Sequence, residues 1–133
     1  MMDVTGPNCH LDRKLWRARL EHEQLPPAHA YVGVLGKADF AAQCGRLLVW
    51  RVNADGLEVA LRDYRGAADA DVAMLLVLDG ECERSLLANG MDTIGRLVRQ
   101  GRLHAYMLMT LDRLDDVGLA DFVEDLGLVF PKH

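Results

Sequence analysis

The chain has 133 residues, half of them apolar and 26% charged, an ordinary globular balance that suits one domain with its own core. Twenty acidic residues against 15 Lys and Arg give a net charge of −5, which argues against a nucleic-acid binder, since such proteins show a basic face. No apolar run approaches the roughly 18 residues of a membrane span, so none is expected.

Residues 1–8 lack the charged and apolar regions of a signal peptide and are expected to form a loose tail ahead of a single domain over residues 9–133. Cys9, Cys44 and Cys82 are odd in number and far apart, which fits free thiols in a reducing cytoplasm. Asn8 suits an N-cap, and Leu11, Leu15, Ala18, His22 and Leu25 recur at helical spacing until Pro26-Pro27 stops them. His29 to Leu35 reads as a short strand and Ala38 to Cys44 as a helical turn or two.

Leu47 to Val52 and Leu57 to Tyr64 are β-prone runs flanking Asn53-Ala-Asp-Gly56, a hairpin pattern in which Gly56 supplies a positive φ. Leu57, Val59 and Leu61 then share one face, Glu58 and Arg62 the other. Gly66 to Asp71 is a loop. Val72 to Leu78 is short enough for a buried strand, with a helix as the alternative. Helices are expected over Glu81 to Asn89 and Thr93 to Gln100, ended by Gly90 and Gly101. Leu103, Ala105, Met107 and Met109 alternate with Arg102, His104, Tyr106 and Leu108, the period of a strand. Asp115 or Asp116 is expected to cap a last helix whose stripe is Leu119, Phe122, Val123 and Leu126. Leu128, Val129 and Phe130 add three apolar residues near the end.

This order implies an α+β domain with a mostly antiparallel sheet covered by helices; the alternative is a mainly α-helical chain. No nucleophile–base pair, phosphate loop or metal set stands out, so the expectation is a non-enzymatic protein without metal or cofactor. Cys9, His10, His22 and His29 are the one Cys/His concentration, but a Pro pair separates His22 from His29. His104 needs a positioned partner to act as a base, and Asp63 and Asp112 are the conceivable ones.

Several pieces in order resemble a sterol-carrier-type lipid-binding domain, in particular the sterol-carrier-like accessory factors of bacterial ubiquinone biosynthesis. These are Gly45-Arg-Leu-Leu-Val-Trp-Arg-Val52, Leu57-Glu-Val-Ala-Leu61, Gly66-Ala-Ala-Asp-Ala-Asp-Val72, Leu86-Leu-Ala-Asn-Gly90, Thr93 to Leu103, and Val117 to Leu126. The resemblance spans about residues 45–126. The chain departs from that family where Met109-Thr-Leu-Asp112 stands in place of a Gly-Asp strand end, and its strand-to-helix segment is longer. The resemblance implies an apolar tunnel between sheet and helices that holds a lipid or isoprenoid tail, with no catalysis by the domain. The apolar residues available to line such a site are Trp50, Leu61, Met74, Leu103, Met107, Met109, Phe122 and Leu126. The alternative is a small acidic protein-interaction module, such as an inhibitor, immunity protein or assembly factor. It would use the acids from Asp112 to Asp125, with self-association or a protein partner at the C-terminal helix.

Overall fold

A computed structural model describes residues 9–126 of the chain. The expected tail over residues 1–8 and the apolar run Leu128 to Phe130 lie outside them. The architecture is α+β. Helix α1 (Arg13–Leu20) precedes strand β1 (Tyr31–Gly36), and α2 (Lys37–Ala42) follows it. Strands β2 (Gly45–Asn53), β3 (Gly56–Tyr64) and β4 (Val72–Leu78) come next. Helices α3 (Gly80–Asn89) and α4 (Ile94–Arg99) lead into β5 (Leu103–Met107), and α5 (Leu111–Val117) and α6 (Ala120–Asp125) close the chain.

The five strands form one sheet in the order β3-β2-β1-β4-β5. It is mostly antiparallel, but the central pair, β1 with β4, is parallel. A parallel neighbour needs a crossover, and here the chain crosses between Tyr64 and Val72. The expected hairpin forms with Asn53 opposite Gly56 and Trp50 opposite Val59.

Side-chain alternation sorts the interior into two clusters. Val32, Val34, Leu48, Trp50, Val59, Met74, Leu76 and Leu78 face one way, toward Trp16, Leu20, Leu86, Ile94, Leu97, Leu114, Phe122 and Val123 of the helices. Tyr31, Leu35, Leu47, Val49, Tyr64, Leu75 and Val77 face the other way, where Phe40 of α2 and Ala68 of the crossover cover them. Gly33 lets that second cluster close: a Cβ there would stand 3.2 Å from side-chain atoms of Leu47, Leu75 and Val72.

Three boundaries differ from the sequence reading. The first helix starts at Arg13, where the Asp12 carboxylate caps the backbone N–H of Lys14 and Leu15, so the cap is not Asn8. It ends at Leu20, well short of Pro26, leaving His22 and Leu25 outside it. The single closing helix is two. Thr110, not Asp115 or Asp116, caps α5, and Gly118 at φ 90 breaks the helix before α6. A Cβ on Gly118 would lie 2.8 Å from the Pro27 carbonyl oxygen, so the break is built into the packing. Leu119, Phe122, Val123 and Leu126 remain buried as their stripe predicts.

The N-terminal segment is anchored by a buried carboxylate. Glu83 in α3 is 3% exposed and accepts hydrogen bonds from His10 N at 2.9 Å, Leu11 N at 3.0 Å and Trp16 Nε1 at 2.8 Å. Glu83→Ala orphans all three donors and is expected to cost at least about 3 kcal/mol, with Glu83→Gln costing less because one acceptor oxygen remains. Urea unfolding measures both; a loss under about 1 kcal/mol for the alanine variant would refute this role.

Candidate functional site

The eight apolar residues singled out in the sequence all belong to the helix-covered face. The strand register explains why. A row runs across the sheet through Val59, Trp50, Val32, Met74 and Met107. Leu61 pairs with Leu48, and Leu103 pairs with Leu78, on the same side. Trp50, Met74, Leu103, Phe122 and Leu126 are buried there, and Leu61, Met107 and Met109 pack against them partly buried. The Trp50 and Phe122 rings meet edge to face, 5.5 Å between centroids at 87°. Trp50 is 1% exposed, yet its indole Nε1–H has no hydrogen-bond partner among the described residues.

A depression of about 900 Å³ opens beside this cluster, between the turn after α1, the end of α3 and α6. Its apolar wall is Leu25, Pro26, Met91, Phe122 and Leu126; Glu23, Asp92, Asp121 and Asp125 supply its charge. Of the eight expected residues, Phe122 and Leu126 line it and the other six do not. Leu25, Glu23 and Asp92 escaped the sequence reading, and Asp121 and Asp125 entered it only as part of an acidic helix face, because the lining comes from three separate segments. Only the packing of α6 against the α1–β1 connection brings them together.

The second sheet face holds a polar cluster that periodicity alone did not reveal. The Tyr31 ring lies between two guanidinium groups, Arg51 at 4.4 Å and Arg62 at 4.7 Å from its centroid. Its hydroxyl donates to Glu58, which also accepts from Arg51 Nε at 3.1 Å and Asn53 Nδ2 at 2.9 Å. Arg62 donates to both carboxylate oxygens of Asp71, at 2.8 and 2.9 Å, and to Asp69 at 3.1 Å. The Tyr31 bond holds the Glu58 carboxyl below its usual range, and the same bond raises the Tyr31 phenol. Arg62, in the same way, lowers Asp71. Every charge here has a partner, so the cluster ties the crossover to the sheet.

Next to it, Phe40 stacks on Tyr106 with centroids 5.3 Å apart, at the edge of a groove of about 380 Å³ that Tyr64, Leu75 and Leu108 also line. His104 and Asp63 sit on β5 and β3, the opposite edges of the sheet, so they do not form a pair. Cys9 donates its thiol to the Leu78 carbonyl, and burial together with the Glu83 charge pushes that thiol up to about 12, leaving it protonated and unreactive. No group of three or more metal-ligating side chains occurs among the described residues.

Comparison of the chain with protein-family models, with curated proteins and with solved structures finds no match.

The Tyr31–Glu58 bond makes stability pH-dependent at both ends. A carboxyl held low binds fewer protons folded than unfolded, so its contribution is lost as pH falls through the carboxylate range. A phenol held high keeps its proton longer when folded, so its contribution is full below the phenol range and lost as pH rises through it. Tyr31→Phe is expected to flatten the alkaline fall in urea midpoint and soften the acid one. An unchanged alkaline limb would show that the bond contributes nothing.

Proposed function

We propose that this chain is a non-catalytic accessory protein of the cytoplasm that holds an apolar lipid or isoprenoid-type ligand in the depression between the turn after α1, the end of α3 and α6, in the manner of the sterol-carrier-type domains it resembles. One observation carries the reading. A depression of about 900 Å³, within the size range of small-molecule sites, has Phe122 and Leu126 as its wall, and both belong to the cluster around Trp50. The rim chemistry narrows the ligand. Glu23, Asp92, Asp121 and Asp125 disfavour a carboxylate or phosphate headgroup, so the ligand is neutral or cationic. Three free thiols, at Cys9, Cys44 and Cys82, support a reducing compartment. No helix among the described residues is long and apolar enough to cross a membrane, so contact with a bilayer would run through the carried molecule.

Solvent extraction of the purified protein, followed by mass spectrometry, is expected to release a neutral or cationic apolar molecule. Phe122→Ala is expected to weaken uptake of a neutral fluorescent apolar probe by about tenfold, the cost of one lost aromatic contact. If extracts are empty and the wild-type protein takes up no probe, the lipid reading fails. The acidic interaction-module reading would then stand, favoured by the exposed Leu108 and Leu111 beside Asp112, Asp115 and Asp116.

A further inference from the structure

The two edges of the sheet are guarded differently. An edge strand presents unpaired N–H and C=O groups, and proteins usually blunt it with charge, proline or a covering element. β3 carries Glu58, Arg62 and Asp63; a helix packs against each edge strand, α1 against β3 and α4 against β5, so the difference lies in the charge. β5 reads Leu-His-Ala-Tyr-Met, with no proline and no Lys, Arg, Asp or Glu. Around it stand large exposed apolar side chains: Tyr106 at 41%, Leu108 at 46% and Leu111 at 52%.

The backbone of this edge has a defined pattern. β5 pairs with β4 through Leu75 opposite Tyr106 and Val77 opposite His104, and Leu108 N donates to Ala73 O at 2.9 Å. In an antiparallel ladder the hydrogen-bonding residues alternate, so His104 and Tyr106 turn their backbone groups to β4. Those of Leu103, Ala105 and Met107 turn outward. The outward set is symmetric about Ala105.

Charge along the edge is polarised. Arg96 and Arg99 precede β5, exposed and without an ion-pair partner among the described residues; Arg102 is held by Glu81 at 2.6 Å. Asp112, Asp115 and Asp116 follow β5, also exposed and without ion pairs among the described residues. A second copy laid antiparallel along the edge brings its acidic end to the basic end of the first, and the reverse.

We infer that two copies of this chain join through β5, antiparallel about a twofold axis at Ala105, into one continuous sheet. Ala105 then faces its own equivalent, and Leu103 faces the second copy's Met107, so every outward backbone group of β5 finds a partner. His104 sits across from the second copy's Tyr106 on the face that bears the Phe40–Tyr106 stack, and the end of α4, with Arg99, comes to the same end of the seam as the start of the second copy's α5, with Asp112. The self-complementary order of charge is what selects a second copy over an unrelated strand. This inference is independent of what the protein carries on its other face.

Sedimentation equilibrium of the full chain is expected to show a dimer. Ala105→Pro removes an N–H that lies outside the β4–β5 ladder, so it should yield a monomer with the wild-type far-UV spectrum and urea midpoint. Arg99→Glu and Asp112→Arg are each expected to raise the dimer dissociation constant by about tenfold, and the double variant to restore it. These charge variants lie on exposed helix positions and keep the test decisive if the proline variant misfolds. A wild-type monomer at high micromolar concentration, a folded Ala105→Pro dimer, or a double variant no tighter than the single ones would overturn the inference.

Discussion

The N-terminal segment and α1 are tied to α3 by the Glu83 carboxylate. α1 is short, and its first turn contains no acidic residue. Glu83 gathers the backbone N–H of His10 and Leu11 and the indole of Trp16 at one point on α3. A buried carboxylate is costly by itself and becomes tolerable only when donors surround it, so the anchor works only with all its partners assembled. It sets Trp16 and Leu20 over β3, and that fixes where the turn after α1 must run. The wall of the depression beside α6, formed partly by Leu25 and Pro26, is a downstream result of that one contact.

The sheet separates two roles. Its helix-covered face holds most of the large aliphatic side chains together with Trp16, Trp50 and Phe122. The other face mixes apolar side chains with the Tyr31–Arg51–Arg62–Glu58 cluster, which binds the crossover down by paired charges rather than by bulk. Pairs as exposed as Arg62–Asp69 contribute little singly, but a network sharing one aromatic ring constrains geometry even where it adds modest energy.

Period-two and period-three-to-four patterns made most of the fold legible. The hairpin forms where its β-prone runs and turn predict, Val72 to Leu78 takes the buried-strand form of the two its apolar run allowed, and Leu119, Phe122, Val123 and Leu126 are buried as their helical spacing predicts. Alternation groups Leu57, Val59 and Leu61, or Leu103, Ala105 and Met107, within one strand; that Trp50, Met74 and Met107 share one side is set by the register between strands. What escaped is what depends on contacts distant in sequence. The parallel β1–β4 pairing leaves no local trace. The break at Gly118 is set by the Pro27 carbonyl pressing on it, and glycine alone does not announce that. Leu25 and His22 keep helical spacing without being helical, since the chain must leave α1 early to carry Ala28 and Ala30 into the core. Asp71 has no visible partner in the sequence, because Arg62 reaches it only once the crossover has folded back.

The parallel central pair has a kinetic consequence. The β2–β3 hairpin joins neighbours in sequence and closes on a microsecond scale. β1 can complete its second side only after the whole stretch from Gly36 to Val72 has been threaded into place. The most central strand of the finished sheet therefore depends, for its second side, on the pairing most distant in sequence of the four. Its burst of apolar residues, Tyr-Val-Gly-Val-Leu, stays open to the wrong neighbour until β4 arrives. The chain's exposure to misassembly is thus concentrated at its middle, in the strand that looks safest once folding is done.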